Sequence, residues 1–180
     1  MNIIKLTELY KQIINEYGDL QNIEPYNFIK NTNKYIFFSD EIEVNISVEF
    51  DNVKSLEVKL DTVSKIYYDN MKKDDVSYNV SFEIEGIQSQ FTKTNLFIYN
   101  RIMKTIVIII QDFINIKKPY GLWIFGTNKK GLSMSDAQKN IIYYNISKYY
   151  MPSMYRISEA TAKYDGALYD GYVIFQDRKK

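Results

Sequence analysis

The sequence predicts one α+β domain spanning residues 1–180, a mixed and mainly antiparallel sheet that begins with an N-terminal meander and carries about three helices on one side. Three observations predict it. Apolar residues recur at helical spacing in an N-terminal segment and two later ones; between them hydrophobicity alternates with a period of two; and no linker, internal repeat, heptad or low-complexity tract divides the chain.

Leu6, Leu9, Tyr10, Ile13, Ile14 and Tyr17 fall on one stripe of a helix, predicted over residues 4–17, and Gly18 is placed to cap it. Residues 19–33, with Pro25 and several Asn, have no period and read as a connection. The meander is predicted over residues 34–92. Ile42, Val44, Ile46, Val48 and Phe50 alternate with Glu43, Asn45, Ser47 and Glu49, which describes a strand with one wet face. Leu56, Val58 and Leu60 alternate in the same way, as do Val76, Tyr78, Val80, Phe82 and Ile84, and the run Tyr35 to Phe38 supplies a fourth member. The charged segment Asp69 to Asp75 reads as a surface tip.

A helix–strand–helix unit is predicted over residues 95–150. Residues 95–117 are apolar nearly all round and end at Lys117, Lys118 and Pro119, the signature of a buried helix with cations at its negative end and a proline stop. The run Tyr120 to Phe125 suits a central strand covered on both faces. A second helix starts near Ser133 and stops before Pro152. Two final strands are expected within residues 154–176. The meander face bearing Ile42, Val44, Ile46, Val48, Phe50, Val80, Phe82 and Ile84 is expected to pack on the helix over 95–117.

The chain has no Cys and no His, so thiolate and imidazole chemistry, disulfides and Cys- or His-based metal sites are excluded. The remaining carboxylate pairs have structural explanations. Glu83 and Glu85 share the polar face of an alternating strand; Asp165 and Asp170 belong to two Tyr-Asp-Gly triplets, and Asp-Gly is a hairpin-turn signal. The segment Gly126 to Gly131 sits where phosphate loops sit but lacks their Gly-Lys-Ser/Thr ending. No catalytic, cofactor-binding or metal-binding residue is assigned, and no cofactor is expected.

Net charge is +1, so no overall field steers the chain to nucleic acid. The charge is nevertheless segregated: residues 1–63 hold 11 acids and 6 bases, whereas residues 95–180 hold 6 acids and 13 bases. Such segregation either pairs within one domain or serves complementary contacts between subunits. The N-terminus lacks a secretory h-region, and the most apolar stretch, Thr105 to Ile110, is far too short to span a bilayer, so neither export nor membrane insertion is expected.

Seventeen tyrosines are the unusual feature of the composition. Tyr143, Tyr144, Tyr149, Tyr150 and Tyr155 crowd into 13 residues with Met151 and Met154, more than one helix face buries. They suit packing on the sheet, or an anchor patch for another subunit. Base stacking would want interleaved cations, and only Lys148 and Arg156 are near.

From Val80 to Tyr150 the chain resembles a family of small uncharacterised proteins of tailed bacteriophages. The residues that carry it are FEIEGIQSQFTKTN, the helix LFIYNRIMKTIVIIIQDFI, the strand LWIFGTN, and Lys139 with Tyr143 four positions on; Lys139 stands where the family has Arg, and Gly126-Thr127 where it has Ser-Ala. The resemblance implies a phage origin, which suits the excess of Ile, Lys, Tyr and Asn, all with A/T-rich codons. It implies no reaction. The strand, helix, strand, helix order also resembles acetyltransferase folds, whose glycine-rich pyrophosphate turn is absent.

The expectation is a non-catalytic structural or assembly protein of a phage virion, either a connector, neck or tail-ring subunit or a packaged protein. It would be assembled in the bacterial host cytoplasm and held by contacts to other virion proteins and to its own copies. A host-directed phage inhibitor of a bacterial enzyme is the alternative, and a small acetyltransferase-like enzyme a third.

Overall fold

The computed structural model of the chain describes residues 23–55, 59–85, 96–125 and 151–178. The strands are β1 (Phe28–Asn31), β2 (Lys34–Ser39), β3 (Val44–Asn52), β4 (Lys59–Val63), β5 (Ser77–Glu85), β6 (Gly121–Phe125), β7 (Tyr155–Tyr164) and β8 (Ala167–Gln176). They form one eight-stranded mixed sheet in the order β1-β2-β3-β5-β6-β8-β7-β4. The described helices are α1 (Lys65–Asn70) and α2 (Leu96–Lys117).

This corrects the predicted fold class. The described architecture is dominated by the sheet, not an α+β domain with about three helices, and of its two helices only α2 exceeds six residues. The helices expected over 4–17 and from 133 lie outside the described residues. Nor do the helices share one side. On β6, Leu122 and Ile124 join the core beneath α2, while Trp123 joins the cluster around Tyr67 of α1; on β8, Ile174 joins the first and Val173 and Phe175 the second. Successive strand residues point to opposite faces, so α1 and α2 cover opposite faces.

The meander is corrected too. β2, β3 and β5 are antiparallel neighbours, but β4 pairs with β7 at the far edge of the sheet. After β3 the chain makes a 3-10 turn at Val53–Ser55 and crosses to that edge. Five strand spacings separate β3 from β4 in the sheet order, about 24 Å if the sheet were flat. The connection from Asn52 to Lys59, part of it helical, reaches about 20 Å, so the sheet must coil to bring the two together. Val53, Leu60 and Val63 pack on one cluster, as that coiling requires. Alternation at Leu56, Val58 and Leu60 could not reveal this, because it specifies a buried face and not a neighbour.

The unit β5-α2-β6 is a parallel crossover, and it supplies the main core. Ile102, Met103, Ile106, Val107, Ile109, Ile110, Phe113 and Ile114 are buried against Tyr35, Phe37, Val44, Ile46, Val48, Phe50, Val80, Leu122 and Ile174. Arg101, Lys104, Ile108, Gln111 and Asp112 form the half-buried outer stripe. The expected packing of the meander on this helix is observed at Val44, Ile46, Val48, Phe50 and Val80, with Ile42 partly buried against the same cluster, but Phe82 is 40% exposed and the Ile84 side chain lies outside the described ones. α2 ends as its last residues predict: Lys118 takes a left-handed conformation (φ 48°) and Pro119 follows. The Tyr155 hydroxyl donates to the Pro119 carbonyl (2.8 Å), and Gln176 Nε2 donates to the carbonyls of Lys118 (3.2 Å) and Pro119 (3.1 Å), so the carbonyls of the turn that follows the helix are satisfied.

β6 is buried as expected and lies in the middle of the sheet. The first Tyr-Asp-Gly triplet makes the β7–β8 turn, with Asp165 (φ 47°) and Gly166 (φ 75°) both left-handed, as a type I′ hairpin demands. The second sits inside β8, where Gly171 faces Ala160 and lets the backbone and ring of Phe125 approach.

Candidate interaction surface

Side chains opposite one another on paired strands share a face, and the registers therefore define the sheet surface opposite α2 on β1, β2, β3 and β5. Three lateral rows cross it. The first is Asn31, Lys34, Glu49 and Ser81; the second Ile29, Ile36, Ser47 and Glu83; the third Phe38, Asn45 and Glu85. Apolar side chains thus gather on the β1–β2 side and carboxylates on the β5 side.

Ile29 is 75% exposed and Phe38 51% exposed. Lys34 is ion-paired to Glu49, and that bond, with lesser help from Glu85 and Glu83, raises its pKa. Asn45 Nδ2 donates to Glu85 across 3.4 Å. Ser47, between Ile36 and Glu83, is 2% exposed and its hydroxyl has no hydrogen-bond partner, where a buried polar group ordinarily finds one.

Titratable groups elsewhere are held in internal locks. The Tyr26 hydroxyl donates to Glu41 and meets Ser39 Oγ at 3.0 Å; Arg101 donates to Glu41 (2.7 Å) and to the Glu24 carbonyl (3.0 Å) and stacks 4.0 Å over the Tyr26 ring. Burial and the bond to Glu41 push the Tyr26 hydroxyl up to about 12. Burial alone would raise Glu41, but bonds from Tyr26, its own backbone and Arg101 outweigh it and bring the carboxyl down to about 2. At the opposite end Arg178 makes a bidentate pair with Asp75 (2.7 and 2.6 Å), donates to the Asn70 carbonyl (3.0 Å) and lies 5.0 Å over the Tyr120 ring. A third lock joins Asp112 to Lys30 (3.0 Å) and to the Tyr35 hydroxyl (2.8 Å). A buried fourth has Trp123 Nε1 donating to the Tyr67 hydroxyl (3.1 Å), which meets Ser77 Oγ at 3.0 Å. These contacts tie strands, helices and loops to one another.

Among the described residues no group of three or more acidic side chains is placed to hold a metal ion, and no helix is long and apolar enough to cross a membrane.

Of the tyrosines singled out in the sequence, Tyr143, Tyr144, Tyr149 and Tyr150 lie outside the described residues. Tyr155 does not form an exposed anchor. It opens β7 facing the α2-side core, is 9% exposed, and spends its hydroxyl on Pro119. Its neighbour Met154 is the exposed one, at 59%. Sequence reasoning missed Ile29, Ile36 and Phe38 as surface residues. The available signal was the unbroken run Tyr35-Ile36-Phe37-Phe38, which places apolar side chains on both faces where the neighbouring strand alternates.

No protein-family model, curated protein or solved structure matches the chain.

Proposed function

We propose that this chain is a non-catalytic assembly subunit of a tailed-phage particle, acting through contacts with other virion proteins and with copies of itself. The observation that supports it best is the division of labour among polar and apolar side chains. Tyr26, Glu41, Asp75, Asp112 and Arg178, whose pKa values are displaced, are engaged in internal locks. Large apolar side chains meanwhile stand in solvent on a regular sheet surface beside carboxylates. Exposed apolar residues rimmed by charge are what a protein contact uses. The charge segregation between residues 1–63 and 95–180 supports the same reading, and the phage origin rests on the resemblance carried by residues 80–150.

Two measurements test the proposal together: the solution mass of the purified chain and mass spectrometry of purified particles. Association above monomer and presence in particles are expected. A monomer at high concentration that is missing from particles would overturn the assembly reading in favour of a host-directed inhibitor.

A further inference from the structure

We propose that the amphipathic sheet surface built on Ile29, Ile36, Phe38, Ser47, Glu83 and Glu85 receives the basic end of helix α2, Ile116-Lys117-Lys118, from a second copy of the chain. The inference rests on the assembly reading for the expectation that copies meet, and it names where.

The receiving surface has two chemically distinct sides. Ile29 and Phe38 are exposed apolar groups at one side, and Glu83 and Glu85 are exposed carboxylates at the other, with no ion pair to any described residue. Three strand spacings separate Ile29 from Glu83, about 14 Å, wide enough for the end of one helix about 10 Å across. The acids are too dispersed to hold a metal ion, so the complementary ligand is an extended cation next to an apolar group.

The end of α2 has that composition. Ile116 is 51% exposed, Lys117 and Lys118 are exposed, and neither ammonium is ion-paired to a described residue. Lys118 takes a left-handed conformation and Pro119 follows it, so the helix stops there and its last side chains stand at a chain corner. α2 lies on one face of the sheet and the receiving surface on the other, so a chain cannot close the contact on itself. Each copy offers one donor and one receiver, which is a heterologous arrangement that propagates or closes into a ring.

The experiment is sedimentation of the full chain at low and moderate salt with three variants: Glu83→Lys with Glu85→Lys, Lys117→Glu with Lys118→Glu, and all four changes together. Each pair of reversals should weaken self-association at least about tenfold. An equimolar mixture of the two pair variants should recover it, as should the fourfold variant. If a reversal disturbs folding by near-UV circular dichroism, Glu83→Gln with Glu85→Gln replaces it and should weaken association in the same direction. If the wild type associates and no variant changes its mass, this docking is wrong while the assembly reading stands. If the wild type is monomeric, the docking is wrong, and presence in particles decides the assembly reading separately.

Discussion

Phe113 of α2 lies flat on Phe50 of β3, with ring centroids 3.7 Å apart and planes 4° from parallel. Both are fully buried, and Tyr35 and Tyr78 close on the pair edge-on at 5.7 Å from Phe50 and 5.0 Å from Phe113. The stack joins the crossover helix to the meander. Phe113→Ala should cost about 3–5 kcal/mol, and a double-mutant cycle with Phe50→Ala should return a coupling of about 0.5–1.5 kcal/mol. Urea unfolding measures both, and strict additivity would mean the two rings act only by filling volume.

The two glycines of the β7–β8 hairpin should respond differently to alanine. At Gly171 an added Cβ would meet the Ile124 carbonyl and lie 2.6 Å from Cδ1 and 2.8 Å from Cα of Phe125, backbone that cannot step aside. Gly171→Ala should therefore cost about 3 kcal/mol or more. Gly166 has open space around it and only its positive φ to defend, so Gly166→Ala should cost about 1 kcal/mol and Gly166→Asn less. Thermal melts of the three variants give the order, and equal losses at both positions would contradict the packing described for β6 and β8.

Arg178 reaches back 103 positions to Asp75 with both arms of its guanidinium. A lysine at this place keeps the charge but cannot fork to the carboxylate while also donating to the Asn70 carbonyl. Arg178→Lys should cost about 1–3 kcal/mol and should speed proteolytic nicking near residues 71–76. Unchanged nicking would show that the loop is held by something else.

Glu41 links acid stability to the Tyr26 lock. Its folded pKa of about 2 lies below its ordinary 4.5, so between these values the unfolded chain binds the proton more readily. The contribution is fully present above pH 4.5 and is lost as pH falls through about 2. The gap in melting temperature between wild type and Glu41→Gln should be constant above about pH 5 and shrink steadily towards pH 2. A gap that persists undiminished at pH 2 would mean the glutamine variant suffers from geometry and not from lost charge.

Much of the fold was legible locally. Period-two alternation located β3 and β5, and the turn chemistry of Asp165-Gly166 located the final hairpin. All-round apolarity ending in Lys117, Lys118 and Pro119 located α2 to within a residue. The surface was less legible. Ile29 was hidden in a segment without a period, since four residues of β1 are too few to display one. Tyr155 was misread because a tyrosine count says nothing about which way a strand's first residue points.

What the sequence determined by itself is therefore the kind of element at most described positions and which of its faces seeks burial, because side-chain periodicity is a property of the segment alone. Tertiary structure alone decided who sits beside whom. Leu60 and Val63 are compatible with any apolar neighbour, yet the connection from β3 carries β4 to β7 and places α1 over the face opposite α2. Tertiary structure also assembled Ile29, Ile36, Ser47 and Glu83 into one row from four strands spread over more than fifty positions. Register across strands is set by long-range pairing and packing, and no local pattern in any one strand encodes its partner.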